Sequence, residues 1–414
     1  MFDTIGDGRD PSRGLRMVED GRRELPRPPR RVPSGATAQL TSIQAPTPVP
    51  SSEPPLPPRL RWRFLVPLIG FALVVGAGAG WLIRQDSLRL DTAEVLELAG
   101  PSVVRVFATT CEGTGESTGV LLPDGLILTA ASAIKQPMSV AFLTADGRVR
   151  RANVLGSSSD GVALLRMIGR LDDSAATLAQ EVPAPRAELA VLGFIAAGRQ
   201  TIQPVGTTKE PRPLPSVLNP TKLGSPVLDK SGQVVGLITG NTVADATVVP
   251  LARLRQYTGA GADGITPEPG GSCQRARGPQ ITMTPELVVA NTPLAGESLA
   301  VLRAYLTAMN KHDFRGIRTL YSKRLAGRMT EQQDIDRHET SFMFGGRIIE
   351  VTRNGVSGAN VRMTFTVLFS PNSNGAAGQT CNRLDNRYQL VREGGRLRVD
   401  LSRQVSEPQN CDTD

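Results

Sequence analysis

Residues 113–132 read GTGESTGVLLPDGLILTAAS, and this stretch decides the fold of the region around it. The segment Pro123-Asp124-Gly125 separates one apolar run from a second that ends near Ala131. An Asp-Gly turn between two such runs predicts a β-hairpin. The stretch therefore predicts paired strands on both sides of Gly125, with Ser132 at the end of the second strand.

Three further segments follow in chain order. They are Ser158-Ser-Asp160-Gly161 with the apolar run after it, Gly193-Phe194, and residues 221–237, TKLGSPVLDKSGQVVGL. The four segments, spread between Ala99 and Leu254, together resemble the trypsin-like serine protease fold in its bacterial HtrA-type form. The resemblance implies an all-β double barrel in which three of the four segments supply a histidine, an aspartate and a nucleophilic serine.

The resemblance places Ser132, Gly161 and Leu223 at the three positions of that catalytic triad. A triad needs an imidazole to accept the proton of the nucleophile, but the only histidines, His312 and His338, lie far beyond this region. Two neighbouring positions also depart from the family. Asp160 comes one residue early for the aspartate, and Thr221 stands where the family has a glycine of the oxyanion hole. The domain is therefore predicted to lack a triad.

A serine–lysine pair is the alternative catalytic arrangement, since some proteases use one in place of serine and histidine. Lys222 with Ser225, or Lys222 with Ser132, are the candidates. Nearby strand residues point to opposite faces, so the first pair would need a special turn. The opposing interpretation makes Lys222 a solvated loop residue, Ser225 a packed replacement for glycine, and Asp160 a turn residue.

An uncharged run from Phe64 to Ile83 covers 20 residues, about the length that spans a bilayer as a helix. Arg59, Arg61 and Arg63 precede it, which predicts a cytoplasmic N-terminus. A cleaved signal peptide is the competing interpretation, although the long polar segment ahead of the run argues against it. The chain is thus predicted to be a single-pass type II cell-membrane protein with its bulk outside the cytoplasm.

The four cysteines all follow the apolar run. An even count in a segment outside the cytoplasm favours disulfides. Of three connectivities, Cys111–Cys273 and Cys381–Cys411 are preferred, because each stays within or at the border of one predicted domain. No spacing of Cys or His predicts a metal site, and no cofactor is predicted. The formal net charge of +8 is spread along the chain, which does not favour nucleic-acid binding.

Beyond Thr292 the apolar spacing becomes helical, and Asp313 is predicted to cap a second helix. Strands are predicted at 347–352, 360–369, 387–392 and 396–401. Helices followed by strands resemble the cone-shaped α+β fold of the nuclear transport factor 2-like superfamily. That resemblance implies either a pocket, with His338 beside Asp334 and Asp336 as an acid/base candidate, or an interaction module. A solvated loop histidine is the preferred interpretation for His338, and a helix-end position suited to positive charge for His312.

The predicted organisation has five parts: a Pro/Arg-rich disordered cytoplasmic tail at 1–60, a transmembrane helix at 62–84, the trypsin-like domain at 88–258, a linker at 259–291 and the C-terminal domain at 292–406. The trypsin-like domain is predicted to begin with a helix at 88–98. The predicted function is binding or scaffolding of protein or extended-peptide partners in the bacterial envelope. Two alternatives remain: a serine endopeptidase with a non-standard nucleophile, and a small-molecule-binding or sensing function of the C-terminal cone.

Overall fold

The computed structural model describes Val75 and residues 89–171, 175–195, 198–210, 213–216, 218, 223–279 and 283–412. The predicted tail lies outside these residues, and so does the predicted transmembrane helix apart from Val75. Among the described residues, no helix combines the length and the apolar character needed to cross a membrane.

The first structural unit is a closed barrel of six antiparallel strands. A helix, α1 (Thr92–Ala99), precedes it, and Asp91 caps this helix by accepting hydrogen bonds from the amides of Ala93 and Glu94. The strands are β1 (Val103–Thr110), β2 (Glu116–Leu121), β3 (Leu126–Ala130), β4 (Pro137–Leu143), β5 (Val149–Ser157) and β6 (Val162–Met167), in the order β1-β2-β3-β6-β5-β4. The hairpin predicted around Gly125 is confirmed as β2 and β3.

A second sheet of five strands follows. Its strands are β7 (Glu188–Phe194), β8 (Gln200–Thr207), β9 (Pro226–Leu228), β10 (Val234–Thr239) and β11 (Thr247–Pro250), in the order β11-β10-β9-β7-β8, and helix α2 (Leu251–Thr258) follows. Buried Leu128 and Leu164 of the barrel share one apolar cluster with Leu192 and Leu237 of this sheet. The two sheets therefore pack face to face around a common core, as the double-barrel prediction requires.

The C-terminal region combines helices with a curved antiparallel sheet. Its helices are α3 (Pro293–Asn310), α4 (Phe314–Arg318), α5 (Lys323–Arg328) and α6 (Glu331–His338). The main strands are β13 (Phe342–Asn354), β14 (Gly358–Leu368), β15 (Cys381–Glu393) and β16 (Arg396–Gln404); β12 (Glu286–Leu287) extends the sheet beside β13, and β17 (Gln409–Asn410) pairs with β15. Asp313 caps α4 by accepting from the Gly316 amide, as predicted. The region is an α/β unit with its own apolar core.

The segment Thr266–Gly278, called the strap below, runs along the barrel inside the predicted linker. Thr266 exchanges two backbone hydrogen bonds with Ser157, and Arg277 exchanges two with Thr110. The disulfide Cys111–Cys273 fastens the strap between these two points. A segment held at both ends and in the middle is a fixed part of the barrel surface.

The C-terminal region packs directly on the barrel. The rings of Phe107 in β1 and Phe344 in β13 stack with centroids 4.3 Å apart, and Leu368 belongs to the same buried cluster. The second predicted disulfide, Cys381–Cys411, is also confirmed and is fully buried there. These contacts join the barrel and the C-terminal region through a continuous apolar interface.

Candidate functional site

The positions predicted for the triad lie where the barrel meets the second sheet. Ala130 of β3 pairs with Val162 of β6, and one residue further along the Ala131 amide donates to the Gly161 carbonyl over 2.8 Å. Ser132 follows directly. The first two positions, Ser132 and Gly161, therefore lie at the same end of the barrel.

The third position reaches the same place from the second sheet. The Leu223 carbonyl accepts from the Thr118 amide over 2.9 Å, and the Gly224 amide donates to the Ile238 carbonyl over 2.6 Å. Gly224 has a φ of +82°, and a Cβ there would lie 2.0 Å from the Thr118 carbonyl oxygen. Only glycine fits so close to the barrel in this conformation. The fold thus brings Leu223 to the barrel edge that carries Ser132.

Leu223 is a core residue. Its side chain is 5% exposed and packs in a cluster with Ala130, Val191, Val227 and Ile238. A hydrocarbon side chain has no lone pair with which to attack a carbonyl group. The position that the resemblance assigns to the nucleophile is therefore filled by an apolar contact between the two sheets.

The two candidate serines are buried without partners. Ser132 is 9% exposed and Ser225 is 0% exposed, and neither Oγ has a hydrogen-bond partner within the described part of the chain. The packed position predicted for Ser225 is confirmed. A serine nucleophile needs an adjacent base to accept its proton. Thr221 and Lys222 lie outside the described residues, so the serine–lysine alternative stays untested.

Asp160 is held by helix α2. Its carboxylate accepts from Arg253 Nε over 2.9 Å and from the Tyr257 hydroxyl. Its carbonyl accepts from Thr239 Oγ1 over 2.9 Å. The Tyr257 hydroxyl, followed by Arg253, holds the pKa of the Asp160 carboxyl below its usual range. Asp160 lies in a turn, as predicted, but it also ties the barrel to α2.

Tyr257→Phe is expected to lower the free energy of unfolding by about 1 kcal/mol at pH 7, because one hydrogen bond to a partly exposed carboxylate is lost. The folded-state pKa of Asp160 is depressed. The bond therefore stabilises the fold above the unfolded pKa of about 4, and its contribution disappears as the pH falls through the folded value. Urea unfolding at pH 7 and pH 3 should show the wild-type and variant curves converging in acid. Equal stability at pH 7 would contradict this role.

Sequence reasoning missed a polar contact made by Lys135, three residues after Ser132. Lys135 Nζ lies 3.5 Å from Asn241 Oδ1, which links the end of the barrel to the loop after β10. In that loop Asp245 accepts from the Asn241 and Thr242 amides over 3.1 and 2.6 Å. The sequence signal for this loop is an Asn-Thr pair with an Asp three residues after the Thr, and Asn and Asp are typical of turns.

The interpretation of His338 as a solvated loop residue is wrong. His338 ends α6 and is half-buried, and the 331–338 segment is helical, so Asp334 lies one turn before it on the same face. Asp334 is 1% exposed and accepts from the Tyr321 hydroxyl over 2.9 Å. Burial raises the pKa of the Asp334 carboxyl. Asp336 instead accepts from Gln332 at the surface.

The interpretation of His312 as a charge favoured by a helix end is also wrong. Helix α3 ends at Asn310, and the His312 ring packs between Phe314 and Phe342, with centroids 5.5 and 4.7 Å away. Burial lowers the pKa of His312, which disfavours the charged ring. The partly buried ring is therefore not a solvated charge at the helix end.

No group of three or more potential metal-ligating side chains occurs in the part of the chain that the structure describes. All four cysteines, Cys111, Cys273, Cys381 and Cys411, are in disulfides.

The match to a protein-family model agrees with the barrel geometry. Residues 117–237 match the family model of the trypsin-like peptidase domain. The solved structure of a serine endoprotease from Yersinia pestis is similar at 17% identity and a TM-score of 0.36, over 43% of this chain and 69% of that one. No curated protein matches the chain. The chain contains a trypsin-like domain.

Proposed function

We propose that this protein is a membrane-anchored trypsin-like pseudoprotease that binds protein or extended-peptide partners in the bacterial envelope. One observation carries the proposal: at the nucleophile position Leu223 is buried in the core between the two sheets, 5% exposed. Gly161 supplies no carboxylate, and Ser132 supplies no imidazole. The protease scaffold is thus kept while each chemical group of the triad is replaced.

The size of the expected loss of catalytic turnover supports a binding function over a catalytic one. In a serine protease, removal of the nucleophile or the base alone lowers turnover about a millionfold. That factor corresponds to roughly 8 kcal/mol of transition-state stabilisation. Asp160, the carboxylate nearest to Gly161 in the sequence, already accepts hydrogen bonds from Arg253 and Tyr257. No described group therefore replaces the triad.

The groove between the barrel and the second sheet is the proposed binding surface. An extended segment can add to exposed strand edges and polar backbone groups without any chemistry. We assign to this proposed surface the exposed contact of Lys135 Nζ with Asn241 Oδ1, 3.5 Å apart. The proposed partners are proteins or unfolded segments outside the cytoplasm.

The proposed location rests on two features. Phe64–Ile83 has the length and composition of a membrane-spanning helix, with arginines on its N-terminal side. The disulfides Cys111–Cys273 and Cys381–Cys411 are stable in an oxidising compartment. Together they favour a type II anchor with residues 88–414 outside the cytoplasm. A protease-protection assay on spheroplasts tests this, because external protease should degrade the C-terminal region and leave the N-terminal tail intact.

Full-length protein in detergent is expected to cleave no casein and to take up no fluorophosphonate label. Ser132→Ala and Ser225→Ala should leave partner binding unchanged. Because both Oγ atoms are buried without partners, Ser225→Ala should also retain stability or raise it by up to about 1 kcal/mol. Urea unfolding and a gel-based labelling assay measure the two effects. Casein cleavage that disappears in either variant would establish the peptidase alternative instead.

The partner itself can be found by crosslinking the anchored protein in cells and identifying what co-purifies. Lys135→Ala is the informative variant, since it removes a groove side chain, and Lys230→Ala is its surface control. Loss of the crosslinked partner with Lys135→Ala alone would support the groove. Equal capture by both variants would place the binding surface elsewhere.

The nuclear transport factor 2-like assignment of the C-terminal region is a further part of the proposal. Four helices followed by a curved antiparallel sheet support it. A small-molecule function there would centre on Asp334 and Tyr321. Deleting the region is a poor test, because Phe344 packs on Phe107 of the barrel. Asp334→Asn is the better probe, since it alters the acid and keeps its shape.

A further inference from the structure

Both histidines of the chain meet at the junction between the strap and the C-terminal region. The Ala276 amide donates to the Glu339 carbonyl over 3.1 Å. Gly278 lies against the Phe342 ring so closely that a Cβ would come within 2.3 Å of ring carbons. The Phe342 ring also packs against the His312 ring, 4.7 Å away between centroids. The strap and His312 therefore both contact Phe342.

His338 belongs to the same contact. Its carbonyl accepts from the Ser341 amide over 2.9 Å, and the Ser341 carbonyl lies 3.2 Å from His312 Nε2. The turn from residue 338 to residue 342 therefore carries one histidine and contacts the other. Residues 276–278 of the strap also contact this turn.

The charges around the two rings favour their neutral forms. Burial first, and then the cations Arg337 and His312, lower the pKa of His338 to about 4. Burial first lowers the pKa of His312, the hydrogen bond to the Ser341 carbonyl raises it, and Arg275 of the strap lowers it. Asp334 on α6, Glu339 directly after α6, and Lys311 and Asp313 beside His312 are further charged groups on these segments. Among the described residues neither ring has an ion pair with a carboxylate.

We propose that this junction is an acid-sensitive switch. Protonation of His312 puts a positive charge beside the rings of Phe314 and Phe342 and near Arg275, and protonation of His338 adds a second charge near Arg337 and His312. The strap residues 276–278 then separate from residues 338–342, while the disulfide Cys111–Cys273 keeps the strap on the barrel. Acid therefore loosens the C-terminal region at this end of its interface and leaves the barrel folded. The inference is independent of the proposed binding function.

Proton linkage gives the direction in which pH changes the stability of the docked junction. A released His338 has a pKa near the ordinary value of about 6.5, whereas the docked residue has a pKa of about 4. The docked form therefore has its full stability above pH 6.5 and loses it as the pH falls from 6.5 to 4. At pH 4.5 the loss in the docking equilibrium from His338 alone is up to roughly 70-fold.

Hydrogen exchange of the full-length protein in detergent tests the switch. Deuterium labelling at pH 7.5 and pH 4.5, corrected for the intrinsic rates, should show tens-of-fold weaker protection at pH 4.5 in peptides covering 270–280 and 338–344. Peptides from β3 and β6 should keep their protection. The double variant His312→Phe/His338→Gln should retain junction protection at pH 4.5. Glu339→Gln is the matched control, since it neutralises the next residue and should respond to acid as the wild type does.

Two results would overturn the proposal. One is equal junction protection at both pH values in the wild type; the other is loss of barrel protection in parallel, which would be general acid unfolding. A second measurement uses the wild type and tests the proposal even if the histidine variant does not fold. Because the chain has only two histidines, ring ¹³C NMR of the wild type gives two titration curves. Both midpoints should fall below the ordinary value of about 6.5, with that of His338 near 4, and midpoints at the ordinary value for both rings would contradict the buried junction.

Discussion

Leu223→Ser is expected to lower the free energy of unfolding by about 3–5 kcal/mol and to create no peptidase activity. Replacing a buried leucine by a small residue costs about 2–5 kcal/mol in lost burial and cavity formation. The new hydroxyl adds the cost of a buried polar group without a partner. The apolar side chains around Leu223 include Ala130, Val191 and Ile238, and none of them can accept a proton. Installing the nucleophile of the family therefore damages the fold and restores no chemistry.

Urea unfolding followed by circular dichroism measures the stability change, and fluorophosphonate labelling measures any gain of a reactive serine. Leu98→Ser is the control, since Leu98 is 53% exposed on α1 and should cost within about 0.5 kcal/mol. A Leu223→Ser protein as stable as the wild type would show that Leu223 is not a core residue. Labelling at the new serine would show that a base is nearby after all.

Phe344→Ala is expected to lower the free energy of unfolding by about 3–5 kcal/mol, the usual cost of emptying a buried phenylalanine site. Phe344 is 2% exposed and stacks on Phe107 across the interface between the barrel and the C-terminal region. The loss should weaken the coupling of the two regions as well as the fold. Differential scanning calorimetry should therefore show one transition for the wild type and two for the variant.

Two control variants test whether the loss of stability in Phe344→Ala comes from the lost side-chain volume. Phe344→Leu keeps most of the volume and should cost less than about 1.5 kcal/mol. Val356→Ala, at a hairpin tip where Val356 is 97% exposed, should have no measurable effect. A single calorimetric transition for Phe344→Ala at nearly the wild-type temperature would show that the interface contributes little to stability.

Local patterns in the sequence predicted the local structure well. The turn at Pro123-Asp124-Gly125 lies between β2 and β3 as expected, because turn residues and strand alternation act over a few positions. The four predicted C-terminal strands fall within or largely within β13 to β16. The cap at Asp313 is confirmed for the same reason. Both disulfides are also as predicted.

Contacts between distant segments were not predictable. Asp160 meets Arg253 and Tyr257, which are 93 and 97 residues away in the chain. No local pattern marks an arginine on α2 as the partner of a turn aspartate. The helical geometry of 331–338 also changed the interpretation of His338, since it places this residue at the end of a helix rather than in a loop.

The sequence by itself determined which chemical groups are present: Ser132, Gly161 and Leu223 at the positions that the trypsin-like resemblance assigns to a triad, and only two histidines, both outside that domain. The residue types and their order in the chain are enough to establish which groups are present. Only the tertiary structure decided that Leu223 is buried between two sheets and that His312 and His338 share one junction with the strap. Burial and the pKa shifts it causes depend on neighbours brought together from distant parts of the chain, so they exist only in the folded protein.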